Sequence, residues 1–163
     1  MSETVPTTTE PATADLESCH APHQTAWRSL ARTHAAVSGR VQDGLTEAGL
    51  PPLAWFDVLA TIADGDGQMK MGELAEALVI TRGGLTKLVD RLVKAGLVER
   101  TFCESDRRVS YATLLPAGAE LLSEMLPVVS AELEVAFSAN VSVSEAEQLT
   151  GTLDRVRGGA CNA

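Results

Sequence analysis

The sequence predicts a mainly α-helical protein with one small β-hairpin. Of the 163 residues, 45% are hydrophobic but only 4% are aromatic, so the core must consist largely of Leu, Val and Ala, which favour helices over packed sheets. Apolar residues recur at helical spacing over most of the chain. Two short segments with strand-forming residues flank one charged loop, which is typical of a hairpin.

The chain begins with a polar segment that gives way to a long helix. Residues 1–23 are rich in Thr, Pro, Ala, Ser and Glu, which predicts a disordered tail. The helix that follows has an apolar face that includes Trp27, Val41 and Leu45. It ends at Gly49, just before two prolines.

Two shorter helices follow. The first starts at Pro52, because proline is favoured in the first turn of a helix. It ends in an Asp-Gly-Asp-Gly turn at 64–67, which lacks the glutamate that a calcium loop needs at its twelfth position, where Ala75 stands. The next helix spans about 71–78.

A fourth helix and the hairpin come next. Thr81 is a good N-cap for the helix, and Gly96 is its expected C-terminal stop. The segments 97–100 and 109–114 have strand-like residues on either side of the polar loop 103–108. They predict a β-hairpin whose loop is longer than a minimal turn.

Two helices complete the chain. The first spans about 116–139 and is expected to kink at Pro127. Ser144 and Glu147 have the spacing of a capping box that opens the last helix.

The net charge of −9 is unevenly distributed. Residues 81–108 hold seven Lys and Arg against four Asp and Glu, a net charge of +3, so the remainder carries −12. A basic segment in an acidic molecule suits phosphate binding, with the acidic remainder orienting it. Mixed charge on a solvated helix face explains the same numbers.

Composition also bears on compartment and chemistry. No apolar run is long enough to span a bilayer, and the first 27 residues contain no Lys or Arg, so the basic start of a secretory signal is missing; we expect a cytoplasmic protein. The three cysteines, Cys19, Cys103 and Cys161, are too far apart for a CxxC zinc pattern.

Enzymatic and metal-binding functions are not expected. The three histidines lie near the N-terminus, and no nucleophile–base pair or phosphate loop is visible. Cys19, His20 and His23 have ligand types that suit zinc, but three ligands on a flexible tail do not form a site in advance. The sequence therefore predicts no enzyme, no metal and no cofactor.

The order of elements is that of a winged helix-turn-helix. The second helix of the pair must enter the major groove, which is wide enough to admit a helix, and its N-terminal residues face the base edges. Those residues are Thr81, Arg82, Gly83, Gly84, Thr86 and Lys87. Gly83 and Gly84 are poor helix formers; either they let the helix sit deep in the groove, or the first turn is frayed.

The hairpin loop supplies the wing. Arg107 and Arg108 are expected to reach the minor groove, whose negative potential attracts arginine. Asp106 is expected to pair with Arg100 at the hairpin base and to hold the wing in shape. An ordinary solvated turn is the alternative for this loop.

These residues resemble the MarR family of transcriptional regulators. The resemblance covers about 27–156 and includes the wing signature D-x-R at 106–108. The other matching segments are Glu73-Leu74-Ala75, Ile80-Thr81, Leu85-Thr86, Val89-Asp90-Arg91-Leu92, Gly96-Leu97-Val98-Glu99-Arg100 and Pro116-Ala117-Gly118. Two departures are Leu115, where the family has threonine, and Lys70, where it has a helix cap.

The resemblance implies a homodimer that binds a palindromic operator in double-stranded DNA. It implies contacts from the residues named above on the recognition helix, minor-groove insertion by Arg108, and a repressor released by a small, often aromatic, ligand. The implied organisation is a tail (1–23), a dimerisation helix (24–50), a winged helix-turn-helix DNA-binding domain (51–115), dimerisation helices (116–158) and a flexible C-terminus (159–163).

Effector binding has several candidate residues. A pocket between the dimerisation helices and the DNA-binding lobe is expected to involve Trp27, Arg28, His34, Trp55 and Phe56, although Trp27 and Phe56 are equally explained as core. Redox sensing through Cys103 or Cys19 is an alternative. A protein-binding winged helix without DNA binding is a second alternative, and the cations at Arg82, Lys87, Arg107 and Arg108 argue against it.

Overall fold

The computed structural model describes residues 22–102, 106 and 109–161, with the backbone alone at 160 and 161. These parts confirm a mainly helical fold with a small sheet. The elements in chain order are α1 (Pro22–Glu47), α2 (Leu53–Asp64), β1 (Gln68–Lys70), α3 (Met71–Ala77), α4 (Arg82–Lys94), β2 (Val98–Phe102), β3 (Ser110–Leu114), α5 (Pro116–Ala136), a 3-10 turn (Ser138–Asn140) and α6 (Val143–Cys161).

The chain divides into two units, Met1–Ala36 and Val37–Ala163, with the boundary inside α1. The described part of the first unit is the N-terminal portion of α1, which starts at Pro22 and so takes in the last two residues of the predicted tail. Residues 1–21 lie outside the described residues. In the described chain no helix alone has the length and apolar character to cross a membrane; only 116–140 and 143–159 taken together, bent by 98°, meet that test.

The sheet has three antiparallel strands in the order β1-β3-β2. The predicted hairpin is β2 and β3, with Val98 opposite Leu114. Strand β1 was not predicted. It has only three residues, too few for an alternating pattern to stand out, and it is held by pairing with β3, including a 2.9 Å hydrogen bond from Gln68 Nε2 to Thr113 Oγ1.

The main core lies where α2, α3 and α4 pack against the sheet. Each helix contributes one apolar stripe, as the spacing predicted. Leu78 and Leu88 are half-buried at its edge. The buried members are Val58, Leu59, Ile62, Leu74, Ala75, Leu85, Val89, Leu92, Leu97, Val98 and Ala112.

A second core joins the C-terminal part of α1 to α5. Val41 and Leu45 pack against Met125 and Val129, and all four are buried. Of the apolar face predicted for the first helix, only this end is buried: Trp27 is 67% exposed.

The close approach of α1 and α5 has a glycine at its centre. A Cβ at Gly44 would lie 2.7 Å from Glu132 Cγ. Because Gly44 has no side chain, Glu132 can cross α1 and its carboxylate can reach Arg40, 2.6 Å away.

The predicted capping box at the start of α6 lies two residues too far along the chain. The structure forms it from Ser142 and Glu145 instead of Ser144 and Glu147. The Glu145 carboxylate accepts hydrogen bonds from Ser142 N at 2.9 Å and from Ser142 Oγ at 2.6 Å. Both pairs have the S-x-x-E spacing, and Ser142 is the one that directly precedes Val143, where the helix begins.

This box predicts a measurable titration. The hydrogen bond from the Ser142 hydroxyl, and then that from its backbone N–H, lower the pKa of Glu145 below its ordinary value. Ser142→Ala should therefore raise the pKa of Glu145. The titration can be measured from the NMR chemical shift of the Glu145 carboxyl carbon. The stabilisation from a lowered carboxyl pKa exists above the unfolded-state pKa and is lost as pH falls through the folded-state pKa.

Ser144→Ala is the matched control, because its hydroxyl lies two residues further along the same helix. It should leave the Glu145 titration unchanged. Equal shifts in the two variants would contradict the assignment of the cap to Ser142.

Candidate nucleic-acid interface

Helices α3 and α4 form the helix-turn-helix pair. The turn ends at Thr81, whose hydroxyl oxygen accepts a 3.1 Å hydrogen bond from Gly84 N, as the N-cap prediction required. At the start of α3, Lys70 occupies the cap position without a capping side-chain bond. Its ammonium lies 2.9 Å from the Glu73 carboxylate, and that hydrogen bond raises the pKa of Lys70 and lowers that of Glu73.

Helix α4 has one buried and one exposed face. Leu85, Val89 and Leu92 point into the main core and are at most 1% exposed. At 100° per residue the opposite side, here called the outer face, carries Gly83, Lys87, Arg91 and Lys94. All four are exposed, so this face of the helix presents three cations to solvent.

Of the two glycines at the start of α4, Gly83 has no role in internal packing, whereas Gly84 leaves room for the Thr81 cap. A Cβ at Gly83 would meet nothing within 4 Å, and a Cβ at Gly84 would meet only Thr81 Oγ1 at 3.1 Å. Neither has the positive φ that favours glycine. Because the Thr81 cap closes this turn, the structure favours an ordered first turn that contains two glycines over a frayed one.

One flank of α4 faces the base of the hairpin across a cleft. The cleft has a volume of about 410 Å³, and its lining includes Arg82 and Thr86 of α4 and Arg100 of β2. The Thr86 hydroxyl donates a 2.8 Å hydrogen bond to Arg82 O. Of the predicted recognition residues, Gly83 and Lys87 thus lie on the outer face, and Arg82 and Thr86 line this cleft.

Arg100 links the recognition helix to both strands of the hairpin. Its Nη1 lies 3.7 Å from Asp90 Oδ1 on α4, and its Nη2 lies 3.5 Å from Ser110 Oγ on β3. The guanidinium carbon is 5.3 Å from the centre of the Phe102 ring, within range of a cation–π interaction. The Nε atom of Arg100 is buried and has no hydrogen-bond partner among the described residues. The side chain is therefore held mainly through its two Nη atoms and its contact with the Phe102 ring.

Several predicted residues of the wing cannot be placed. Arg107, Arg108 and Cys103 lie outside the described residues, as does Cys19. Asp106 is described and exposed. The observed carboxylate beside Arg100 belongs to Asp90, and the pairing of Arg100 with Asp106 stays a prediction.

Sequence reasoning missed Arg91 and Lys94 as candidate contacts. Both lie on the outer face with Lys87, four and seven residues after it. That spacing was the available signal, because residues at i, i+4 and i+7 share one helix face. They were counted as charge but not assigned to the surface that they share with Gly83.

The residues proposed for an effector pocket have different surroundings. Trp27, Arg28 and His34 are exposed on the N-terminal portion of α1. Trp55 packs against the main core, and Phe56 packs against the second core. Within the described parts of the chain, no group of three or more His, Cys, Asp or Glu side chains is placed to hold a metal ion.

A capped helix pair followed by a β-hairpin defines a winged helix-turn-helix protein. Residues 48–109 match the MarR family. The chain is similar to the HTH-type transcriptional regulator MhqR of Bacillus subtilis, with 28% identity over 78% of this chain and 86% of the relative. It is also similar to a putative transcriptional regulatory protein for the hcr operon of Thauera aromatica, with 30% identity over 80% of this chain and 71% of the relative.

A solved structure extends the likeness to three dimensions. The MarR family regulator Sco3205 from Streptomyces coelicolor, in complex with DNA, superposes with a TM-score of 0.77 and 27% identity over 86% of this chain and 92% of that one. The chain belongs to the MarR family and is a transcriptional regulator with a DNA-binding winged helix. The predicted fold and the prediction of a regulator rather than an enzyme are both confirmed.

Proposed function

We propose that this regulator is a cytoplasmic homodimeric repressor that binds a palindromic operator in duplex DNA and is released by a small aromatic ligand. Helix α4 enters the major groove and the wing enters the adjacent minor groove. The observation that carries this proposal is the outer face of α4, with three exposed cations and an N-terminal glycine that no internal contact requires. A cationic helix face that has only a glycine at its leading end suits close approach to phosphate-lined walls.

The contacts divide by their place on α4. The exposed Lys87 faces outward and is proposed to bind phosphate or guanine, while Gly83 and Gly84 permit the approach. Arg82, Thr81 and Thr86 line the N-terminal end and the flank. In the wing, Arg107 and Arg108 are proposed to enter the minor groove, with Arg100 and Asp106 as its support.

The dimer proposal rests on apolar side chains at the C-terminal helices. Leu126 and Leu133 of α5 are 51% and 38% exposed, and Leu149 and Val156 of α6 are 39% and 61% exposed. Covering these side chains with a second copy would remove apolar surface from water. A two-fold dimer presents two equal recognition helices, which accounts for a palindromic operator.

The ligand proposal rests on the chemistry of five side chains. The rings of Trp27, Trp55 and Phe56 suit an aromatic ligand. Arg28 suits an acidic substituent on it, and His34 supplies a further polar group.

Replacing Lys87 tests the DNA-binding proposal. With a duplex selected from a random-sequence pool by the wild-type protein, Lys87→Ala should weaken binding. If Lys87 binds phosphate, the loss is similar across sequences and the slope of log K against log salt decreases by about 1. If it binds guanine, sequence preference relaxes. Affinity measured by fluorescence anisotropy at several salt concentrations separates the two.

Arg157→Ala is the matched control for loss of one exposed cation. Arg157 lies on α6, where its side chain is 72% exposed and pairs with Asp154, and its replacement should leave affinity and slope unchanged. If the wild-type protein selects no duplex, or if its binding is insensitive to salt, the proposal fails and a protein-binding winged helix becomes the better explanation.

A further inference from the structure

Three helices of this chain end in the same backbone turn. In α1 and α4 the residue that turns left-handed is glycine: Gly49 has φ +70° and Gly96 has φ +72°. At the end of α3 the same position is Val79, with φ +54°. The hydrogen bonds match, because Ile80 N donates to Ala75 O at 3.1 Å just as Leu97 N donates to Leu92 O at 3.0 Å.

Valine is an unfavourable residue for this position. A left-handed backbone brings the side chain against its own carbonyl group, and a β-branched residue there is a genuine outlier. Nothing inside the described chain offsets this cost, since Val79 is 82% exposed and buries little of its surface. A strained residue that the fold does not require points to a contact outside the chain.

The surface around Val79 indicates the kind of contact. Val79 borders a shallow depression of about 770 Å³ whose lining also includes Glu76, Ile80, Thr81 and Arg82. Ile80 is 38% exposed, so two apolar side chains lie beside a hydroxyl and a guanidinium, with one carboxylate on the α3 side. The apolar pair next to Thr81 and Arg82 suits one strand of DNA, in which apolar deoxyribose faces lie beside anionic phosphates.

We propose that Val79 packs against a deoxyribose of the DNA strand whose phosphate is bound by Thr81 or Arg82. This inference rests on the proposed function, because it requires that α4 enter the major groove. It adds an uncharged contact at the turn before α4, where the chain would meet the wall of the groove. Val79 thereby contributes affinity without adding sequence preference.

Two substitutions in the full-length chain separate the side chain from the backbone. Val79→Gly removes both the side chain and the left-handed penalty, and Val79→Ala removes the two methyl groups but keeps a Cβ. Both should weaken binding to the duplex selected by the wild-type protein by about threefold to tenfold, as expected for lost apolar burial. Val79→Gly should also raise the melting temperature.

The salt dependence and base composition of the DNA identify the contact. The slope of log K against log salt should stay at the wild-type value in both variants, because no charge is lost. The loss should also be the same on a duplex with deoxyuridine in place of thymidine. A loss that disappears on the deoxyuridine duplex would assign Val79 to a thymine methyl and overturn the sugar contact.

Val143→Ala is the control for loss of an exposed valine, since Val143 is 78% exposed on α6. Because α6 is a proposed dimerisation helix, the comparison uses protein that sedimentation shows to have the wild-type oligomeric state, and binding should then be unchanged. Wild-type affinity in both Val79 variants would overturn the inference while leaving the proposed function intact. Weakened binding in Val79→Gly alone would overturn it too, because flexibility of the turn would then be the cause. Failure of the wild-type protein to bind any duplex would instead remove the proposed function itself.

Discussion

Gly118→Ala is expected to unfold the DNA-binding lobe or to destabilise it by about 3 kcal/mol or more, at the upper end of the cost of overpacking a core. Gly118 is buried in the first turn of α5. A Cβ there would lie 2.2 Å from Leu97 O and 2.8 Å from Leu114 Cδ1. Leu97 O cannot easily move away, because it accepts a 3.0 Å hydrogen bond from Leu115 N. Urea denaturation followed by circular dichroism measures the effect.

Gly44→Ala is the control that separates backbone overlap from side-chain overlap. Its added Cβ would also come too close, but to Glu132 Cγ, which belongs to a flexible side chain and can rotate away. We expect a small loss, with the contact between Arg40 and Glu132 disturbed. Similar unfolding midpoints for Gly118→Ala and the wild type would show that the first turn of α5 does not approach Leu97 O as described.

Gly83→Leu is expected to leave the fold intact and to reduce DNA affinity by at least about 100-fold, or roughly 2.7 kcal/mol. The new side chain would project from the outer face into open space. Leucine is also a better helix former than glycine by about 1 kcal/mol, so the free energy of unfolding should stay the same or increase. In the proposed complex the same side chain would hold the leading end of α4 away from the groove.

Gly39→Leu provides the matched comparison. Gly39 lies within α1, and a Cβ there also meets nothing within 4 Å, so both substitutions should be tolerated by the folded protein. Only Gly83→Leu should impair binding in a fluorescence anisotropy titration. Unimpaired binding by Gly83→Leu would mean that α4 does not approach DNA through its N-terminal end.

Periodicity and caps were sufficient to predict most of the DNA-binding lobe. The helical spacing of apolar residues predicted the helices of this lobe, and in the structure Leu85 and Leu92 lie on the buried side of α4. Thr81 marked the start of that helix, because its hydroxyl can cap the first backbone N–H groups. Gly96 marked the end, because glycine readily adopts the left-handed backbone that stops a helix. The candidate recognition residues follow from these assignments alone.

Features that depend on distant pairing were not visible in the sequence. Strand β1 forms because it pairs with β3. Its three residues are too few to show the alternating apolar pattern of a strand. Arg100 contacts Asp90 on α4, ten residues earlier, and no sequence pattern indicated that contact. At α6 two overlapping motifs competed, and only the observed start of the helix selected Ser142 over Ser144.

The position of β3 between β1 and β2 has a mechanical consequence. Strand β1 ends at Lys70 and α3 begins at Met71, so no slack separates the sheet from the helix pair. A displacement of the hairpin would therefore be coupled through β3 and β1 to the N-terminus of α3. The angle between the hairpin and the helix pair is therefore set largely by the pairing of β1 with β3, and in the proposed complex the DNA would have to adapt to that angle.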